Sequence, residues 1–172
     1  MELVKVGFGG GCHWCTEAVF QSLKGVHKVE QGWVSSTEKN NTFSEAVIVH
    51  FNEKEIDLKA LIEIHLRTHK STSNHSMRVK YRSAVYYFSQ HQKEESINII
   101  NALQLNFEDT LITQLLAFKN FKSSKEEFHN YYQSNPDKPF CENYINPKLQ
   151  FLLQNFSNKL QKSKVSHLIS TS

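Results

Sequence analysis

The chain has 172 residues, and 20 Lys and Arg against 17 Asp and Glu give it a formal net charge of +3. Its 39% of hydrophobic and 12% of aromatic residues exclude a disordered or collagen-like chain. No apolar run approaches the ~20 residues of a membrane-spanning helix, and the small, dispersed charge does not indicate nucleic-acid binding. We expect one domain over residues 1–160, followed by a polar, frayed tail over 161–172.

The predicted elements, in chain order, begin strand–helix–strand–strand–helix–strand. Apolar alternation and β-branched runs predict the strands, and apolar spacings of three and four predict the helices. Asp57 is the expected N-cap of the second helix, and Ser89 with Gln92 forms a capping box for the third. The ranges are strand 3–8, helix 14–24, strands 26–34 and 46–51, a helix from 58, strand 83–88, a helix from 89 to about 107, strand 110–118, and helices 125–133 and 147–160.

This order of elements is typical of an α+β fold. We expect a ferredoxin-like α/β plait, that is, a mixed sheet with helices packed on one face, and a C-terminal helical extension. The lysines at 119, 122 and 125 are interpreted as a solvated face. Residues 1–5 lack the basic and apolar regions of a secretory signal, so we expect a cytoplasmic protein in a reducing compartment.

Glycine is concentrated near the N-terminus, at positions 7, 9, 10, 11, 25 and 32. The run from Gly9 to Gly11 lies between a predicted strand and a predicted helix, where it can adopt positive φ and leaves backbone amides bare. It places Cys12 at the N-terminal end of the helix, and the helix dipole and free N–H groups there favour a thiolate. Cys12 is therefore a candidate nucleophile or redox centre; the alternative is a buried, apolar cysteine.

Cys12 and Cys15 also form a C-x-x-C pair, and Cys141 is the third cysteine. An odd number of cysteines argues against a disulfide framework. A thioredoxin-like redox pair is one interpretation, but only 11 residues precede Cys12, fewer than that fold needs before its active-site strand. A zinc site is another, but Cys141 has no second ligand at metal spacing. We expect neither a metal nor a cofactor.

The segment from Gly10 to Glu17, GGCHWCTE, resembles the GGCFWCTE motif of the A-type peptide methionine sulfoxide reductases, the class specific for the S epimer. Other segments are similar to the family in the same order along the chain. They are 19–26, 44–52, 81–86, 126–132 and 145–149. Ordered matches from residue 8 to residue 149 are more specific than any single motif, so the chain is identified as a member of this family.

The resemblance implies thiol-dependent reduction of methionine S-sulfoxide, free or in proteins, to methionine. Cys12 would attack the sulfoxide sulfur and become a sulfenic acid. Glu45 would protonate the sulfoxide oxygen and is therefore expected to be partly buried, while Tyr81 would hydrogen-bond that oxygen. Trp14 would form the apolar wall against which the substrate methyl group lies.

Three positions depart from the family pattern. His13 stands where the family has phenylalanine beside the nucleophile, Trp33 replaces a second tyrosine donor, and Ser76 replaces an aspartate that orients the substrate main chain. All three belong to the expected substrate pocket. Each lost hydrogen bond in a desolvated site could cost about 1–3 kcal/mol, so we expect weak activity or a shifted substrate.

The family's cysteine-bearing, glycine-rich C-terminal tail is absent, because no Cys or Gly follows Pro147. Cys141 and Cys15 are the candidate resolving thiols, and an external thiol is the alternative. The resemblance implies methionine sulfoxide or oxidised proteins as substrates and thioredoxin or a small thiol as reductant. We also expect a monomer, and the charge and hydropathy of the chain lead us to expect no binding to nucleic acid or membrane. The competing hypothesis is a repurposed, non-catalytic relative that binds a sulfoxide, a thiol or a protein partner through the same pocket.

Overall fold

The computed structural model describes residues 2–169. The strands are β1 (Val4–Gly9), β2 (Val26–Ser35), β3 (Ser44–Phe51), β4 (Ala84–Tyr87), β5 (Gln114–Ala117) and β6 (Asn120–Ser123). The helices are α1 (His13–Gln21), α2 (Leu58–Thr68), α3 (Gln90–Gln104), α4 (Tyr131–Ser134), α5 (Asn146–Asn155) and α6 (Lys162–Val165). The two predicted helix caps are confirmed: Asp57 accepts from the amide of Ala60 at 2.8 Å, and Ser89 accepts from that of Gln92 at 3.1 Å.

The strands form one six-stranded sheet in the order β5-β4-β1-β3-β2-β6. β1 pairs antiparallel with both β3 and β4, and β2 pairs antiparallel with β3 and β6, whereas β4 and β5 are parallel. The sheet is therefore mixed, and the α+β class predicted from the element order is confirmed. Since β1 is central, its C-terminal end and the loop that follows it lie at the middle of one sheet edge.

The two faces of the sheet are covered differently, because alternate residues of each strand point to opposite sides. The larger core joins Val6 and Phe8 of β1 to apolar side chains of α1, α2, α3 and α5, and the Phe8 and Phe20 rings stack with centroids 4.6 Å apart. The smaller cluster consists of strand residues alone. Its members are Val34, Ala46, Ile48, Ala84 and Tyr86. The stacking of Phe20 on Phe8 thus places α1 against the face of β1 that the helices cover.

Several predicted elements are shorter or different in the structure. Helix 125–133 is wrong as a continuous helix: Asn130 has φ 58, which separates a single 3₁₀ turn, Glu126–Phe128, from α4. The helix predicted over 147–160 ends at Asn155, and the strand predicted over 110–118 shortens to β5. β6 was not predicted, because three of its four residues are polar and it lies at the edge of the sheet.

The described part of the segment expected to be a frayed tail contains α6. Val165 is fully buried there, and the amide of Gln161 donates to the Ser22 carbonyl at 2.7 Å. One buried valine and hydrogen bonds to the end of α1 therefore attach a segment whose composition is mostly polar. Residues 170–172 lie outside the described residues. Within 2–169, no helix is both long and apolar enough to cross a bilayer.

Candidate active site

Cys12 is the N-cap residue of α1, at the point where the loop after β1 enters the helix. Two of the three glycines before it are required by close packing: a Cβ on Gly9 would lie 2.9 Å from the Arg82 carbonyl oxygen, and one on Gly10, which has φ +155°, would lie 2.4 Å from the His69 ring. Gly11 has no atom within 4 Å of that position. The backbone of Gly9 and Gly10 is therefore packed closely against Arg82 and His69, whereas the space beside Gly11, next to Cys12, is open.

The Cys12 thiol is half-buried, and its pKa lies below the usual value of a cysteine. The largest cause is a hydrogen bond from the Cys15 thiol, and the backbone N–H groups of Trp14 and Cys15 act in the same direction, whereas burial and the nearby Glu45 carboxyl oppose it. The same thiol–thiol contact and burial raise the pKa of Cys15 far above its usual range. These opposite shifts make Cys12 the more acidic of the two thiols.

Glu45 lies on β3, directly beside the first turn of α1. Its side chain is only 8% exposed. Oε1 accepts a hydrogen bond from the backbone N–H of His13 at 3.2 Å, and Oε2 lies 3.7 Å from Lys80 Nζ. The expected burial of this carboxyl group is thus observed, and β1–β3 pairing is what brings it to Cys12, since Gly9 pairs with Ala46.

A cavity of about 450 Å³ opens beside the thiols. Cys12, Cys15 and Tyr81 line it, together with the rings of Phe140 and Tyr144 from the segment before α5. The remaining lining residues are Gly10, Gly11, Thr16, Val19, His65, Thr68, His69, Lys70, His75, Met77 and Lys148. No carboxylate is among them, so Glu45 lies outside the lining, and the cavity presents thiols, aromatic and other apolar surface, three imidazoles and two ammonium groups to a bound molecule.

The four predicted pocket residues do not line this cavity. Trp14 stacks on Tyr131, with ring centroids 4.3 Å apart, and its indole N–H is buried without a partner among the described residues. His13 is buried, with its ring against Trp33 at 5.1 Å. Ser76 is exposed, although its neighbours on both sides reach the cavity. The structure thus places Trp14 and His13 at the nucleophile's helix but leaves Ser76 outside.

The third cysteine, Cys141, is fully buried in a π-helical turn, Cys141–Ile145. Burial raises the pKa of its thiol, and a charge on Cys141 would in turn raise the pKa of Cys15. Among residues 2–169 no group of three or more His, Cys, Asp or Glu side chains could hold a metal ion.

Two charged residues of the site were missed by sequence reasoning. Arg78 donates to the carbonyl oxygen of Gly10 at 2.9 Å and so holds the glycine loop, and Lys80 lies beside Glu45. Both belong to the stretch before the matching YRSA segment, and neither carries a motif of its own. Only their proximity to Tyr81 in the sequence could have indicated a role.

Comparison with known proteins identifies the family. The family described as peptide methionine sulfoxide reductase matches residues 4–161. Among curated relatives, the peptide methionine sulfoxide reductase MsrA of Trichodesmium erythraeum is 34% identical over 168 residues, covering 88% of this chain and 95% of that protein. MsrA of Acinetobacter baumannii (strain SDF) is 30% identical over 168 residues, covering 90% and 96%.

Solved structures share the fold. Mxr1 from Saccharomyces cerevisiae in its reduced form has a TM-score of 0.71 at 21% identity, covering 81% of this chain and 90% of that one. The same protein in complex with Trx2 has a TM-score of 0.59 at 21% identity, covering 73% and 84%. With a family match over residues 4–161 and a curated relative at 34% identity, the chain belongs to the peptide methionine sulfoxide reductase family.

Proposed function

We propose that the protein reduces methionine S-sulfoxide, free or in proteins, to methionine with thiols as the source of electrons. The observation that carries the proposal is the Cys12 thiol with a lowered pKa at the start of α1, beside the buried Glu45 carboxyl and open to the cavity. Membership of the family gives the reaction, and the site supplies a nucleophile and an acid in contact with one helix end.

The nucleophilic step belongs to Cys12. Its thiolate attacks the sulfoxide sulfur, the S–O bond of the substrate breaks, and the oxygen is left on Cys12 as a sulfenic acid. The substrate sulfur is reduced by two electrons, and the Cys12 sulfur is oxidised by two. The N–H groups of the first helical turn and the Cys15 thiol stabilise the thiolate before attack.

Glu45 supplies the proton that the sulfoxide oxygen takes up, since its carboxyl group is buried and lies against the first turn of α1. Tyr81 is positioned to donate a hydrogen bond to that oxygen, because it lines the same cavity as Cys12. Trp14 is stacked on Tyr131 and lies outside the cavity lining, so we propose that it supports the first turn of α1 and does not contact the substrate directly. Trp33 and Ser76 also lie outside the lining, which supports the expectation of weak activity or a shifted substrate.

We assign resolution to Cys15 in preference to Cys141. Cys15 already contacts Cys12, whereas Cys141 is fully buried in the last helical segment. Two of the three largest causes that raise the pKa of Cys15 come from the Cys12 thiolate, and both disappear when Cys12 becomes a neutral sulfenic acid. The Cys15 thiol is then free to attack, which releases water and forms a Cys12–Cys15 disulfide.

An external dithiol must then reduce that disulfide. The Mxr1–Trx2 complex makes thioredoxin the proposed reductant, and a small thiol is the simpler substitute. We also propose a cytoplasmic location, because free thiols persist in a reducing compartment. The protein is further proposed to be a monomer. The fold is proposed to be a ferredoxin-like plait, supported by the order β4-β1-β3-β2 at the centre of the sheet, to which β5 and β6 add edges.

The proposed function is tested by dithiothreitol-dependent reduction of a peptide that carries methionine S-sulfoxide, with the R epimer as the matched control substrate. We expect turnover of the S epimer only, and none by Cys12→Ser. Full turnover by Cys12→Ser would overturn the mechanism. Absence of turnover by the wild type, with Cys12 still alkylated at neutral pH, would favour the repurposed relative.

The assignment of the resolving thiol has its own test. Intact mass after one equivalent of sulfoxide should show a disulfide, a loss of two hydrogens, in the wild type and in Cys141→Ser. Cys15→Ser should instead hold the sulfenic acid, which dimedone traps on Cys12. A disulfide that persists in Cys15→Ser and disappears in Cys141→Ser would reverse the assignment.

A further inference from the structure

His13 is a buried titratable side chain for which the proposed reaction has no use. It follows the nucleophile directly in the chain, is 5% exposed, and stands where the resembled family has phenylalanine. A buried imidazole needs hydrogen-bond partners for both ring nitrogens, because an unsatisfied polar atom in an apolar site costs free energy. The partners that the fold provides therefore determine what His13 does.

One partner fixes the tautomer. His13 Nδ1 lies 2.7 Å from the Gly32 carbonyl oxygen. A carbonyl oxygen can only accept, so Nδ1 carries a hydrogen in every protonation state of the ring. In the neutral imidazole, Nε2 is then a bare acceptor. β2 holds Gly32 in place by pairing with Ala46 of β3 on one side and Ser123 of β6 on the other.

The other partner is Glu45. Its Oε1 lies 3.5 Å from His13 Nε2, and the side chains are 7% and 8% exposed. If the ring were neutral and the carboxyl group ionised, two lone pairs would face each other in a buried site with no hydrogen between them. A single proton between the two atoms removes this conflict, and Oε1 is already fixed beside the ring by the hydrogen bond from the His13 backbone N–H at 3.2 Å.

We propose that His13 and Glu45 hold one proton between them, and that His13 is a positioning residue that keeps Glu45 supplied with the proton it donates to the sulfoxide oxygen. The proposal rests on the proposed function for the donation step. The existence of the shared proton rests on geometry alone.

The proton balance is simple. Before reaction the pair carries one proton, on Glu45 Oε1 or on His13 Nε2. When it passes to the sulfoxide oxygen, Glu45 is left as a carboxylate and His13 as a neutral imidazole. Lys80 Nζ, 3.7 Å from Oε2, stabilises the carboxylate, and a proton from solvent restores the pair. No electrons move in this step.

Charged groups from other elements also lie near the pair. Lys80 approaches from the stretch before β4, and the charges of Lys80 and His129 lower the pKa of His13, which burial lowers most. Lys122 of β6 lies 6.0 Å from the centre of the Trp33 ring that packs on His13. The Glu45 charge in turn acts on Cys12. Glu45 is the carboxylate whose charge raises the pKa of His13, and its Oε1 lies 3.5 Å from Nε2, so it is the proposed partner for the proton.

The kinetic test uses two variants with different geometry. His13→Asn can keep the donor to the Gly32 carbonyl but places nothing at the Nε2 position, whereas His13→Gln can place an acceptor there that cannot be protonated. We expect the alkaline limb of the kcat/KM profile to move to lower pH by about one unit in His13→Asn and by less in His13→Gln. KM should be nearly unchanged. A loss that is equal at every pH, or an unchanged profile, would overturn the proposal.

A second measurement does not need turnover. Imidazole ¹⁵N NMR of the wild type should show Nδ1 protonated and Nε2 at a shift between the protonated and bare values, and Glu45→Gln should move Nε2 to the bare value. A bare Nδ1, or an Nε2 shift that ignores Glu45→Gln, would refute the shared proton. If the NMR result holds while the wild type does not reduce the sulfoxide, the proposed function fails and the shared proton stands.

Discussion

The reactivity of the site depends on how a single thiolate is stabilised. Among residues 2–169, no cationic side chain is in hydrogen-bond contact with the Cys12 thiol, and its lowered pKa comes first from the Cys15 thiol and then from the N–H groups of the first helical turn. A hydrogen bond to a charged acceptor is worth about 1.5–3 kcal/mol. Cys15, three residues along the helix, is therefore a partner of the thiolate before it is a partner of the sulfenic acid.

Cys15→Ala removes this donor, and Cys15→Ser is the matched control because a hydroxyl can still donate. We expect the pKa of Cys12 to rise by about one unit or more in Cys15→Ala and by less in Cys15→Ser, since one pKa unit corresponds to about 1.4 kcal/mol. The rate of Cys12 alkylation by iodoacetamide as a function of pH, followed by peptide mass, measures this. Equal midpoints in Cys15→Ala and the wild type would show that the helix end suffices.

At the scale of an element, the stretch between α2 and β4 forms one side of the cavity without regular structure. Arg78 holds it together: its guanidinium donates to the carbonyl oxygens of Lys70, Ser73, Tyr81 and Gly10, at 2.6 to 2.9 Å. Three of these acceptors lie in the stretch itself, and the fourth is in the glycine loop. One side chain therefore sets the distance between Tyr81 and the nucleophile.

Arg78→Lys keeps the charge and loses the fork of donors, so it cannot bond four carbonyl groups at once. We expect kcat/KM to fall about tenfold or more, because the glycine loop and Tyr81 are no longer held together. The matched control is Arg67→Lys, since Arg67 pairs with Glu63 on the surface of α2 and should leave kcat/KM unchanged. Equal effects of the two substitutions would mean that Arg78 has no special part in positioning.

The sequence was informative where a local pattern determines structure. The glycine run, the caps at Asp57 and Ser89, and the β-branched and aromatic residues of β3 are read from neighbouring residues, and each predicted feature is present. The sequence was uninformative where a contact with a distant segment determines the secondary structure. β6 is a strand because it pairs with β2, Lys122 with Trp33, and its short, mostly polar sequence does not indicate that partner.

The same distinction applies to the site. Cys12 could be predicted from the helix end, and Glu45 and Tyr81 from the family resemblance, but the environment of His13 could not. Its Nδ1 reaches Gly32, 19 residues away along the chain, and its Nε2 faces Glu45, 32 residues away from His13. Both contacts require the pairing of β2 with β3. For Ser76 the resemblance predicted a role that the structure does not support: the residue occupies the position of a family aspartate, but it is exposed and outside the cavity.

At the scale of the whole molecule, His65 of α2 and His69, the residue that follows this helix, link it to β1 and to the residue before β4. His65 Nε2 donates to the Gly9 carbonyl oxygen at 2.7 Å, and His69 accepts from the Ser83 hydroxyl at 2.8 Å. Burial lowers the pKa of both, that of His69 to about 4 and that of His65 well below its usual value. Both rings are therefore neutral in the folded protein at pH 7, and their protonation opposes folding.

Acid lowers the free energy of unfolding through these two histidines. In the unfolded chain each histidine takes up a proton near pH 6.5, whereas in the folded protein His69 does so only near pH 4. The stability that these side chains contribute is present above pH 6.5 and is lost as the pH falls towards 4. For His69 alone, linkage gives a loss of about 2 kcal/mol in the free energy of unfolding between pH 7 and pH 5.

Urea unfolding at pH 7, 6 and 5 tests this on His69→Gln and on the control His91→Gln, whose side chain is exposed on α3. Gln cannot be protonated, so the wild-type decline in stability between pH 7 and pH 5 should shrink by about 2 kcal/mol in His69→Gln and remain in the control. The comparison uses the change with pH, which a uniform destabilisation does not alter. If His69→Gln declines as steeply as the wild type, other groups, His65 first among them, govern the acid sensitivity of the fold.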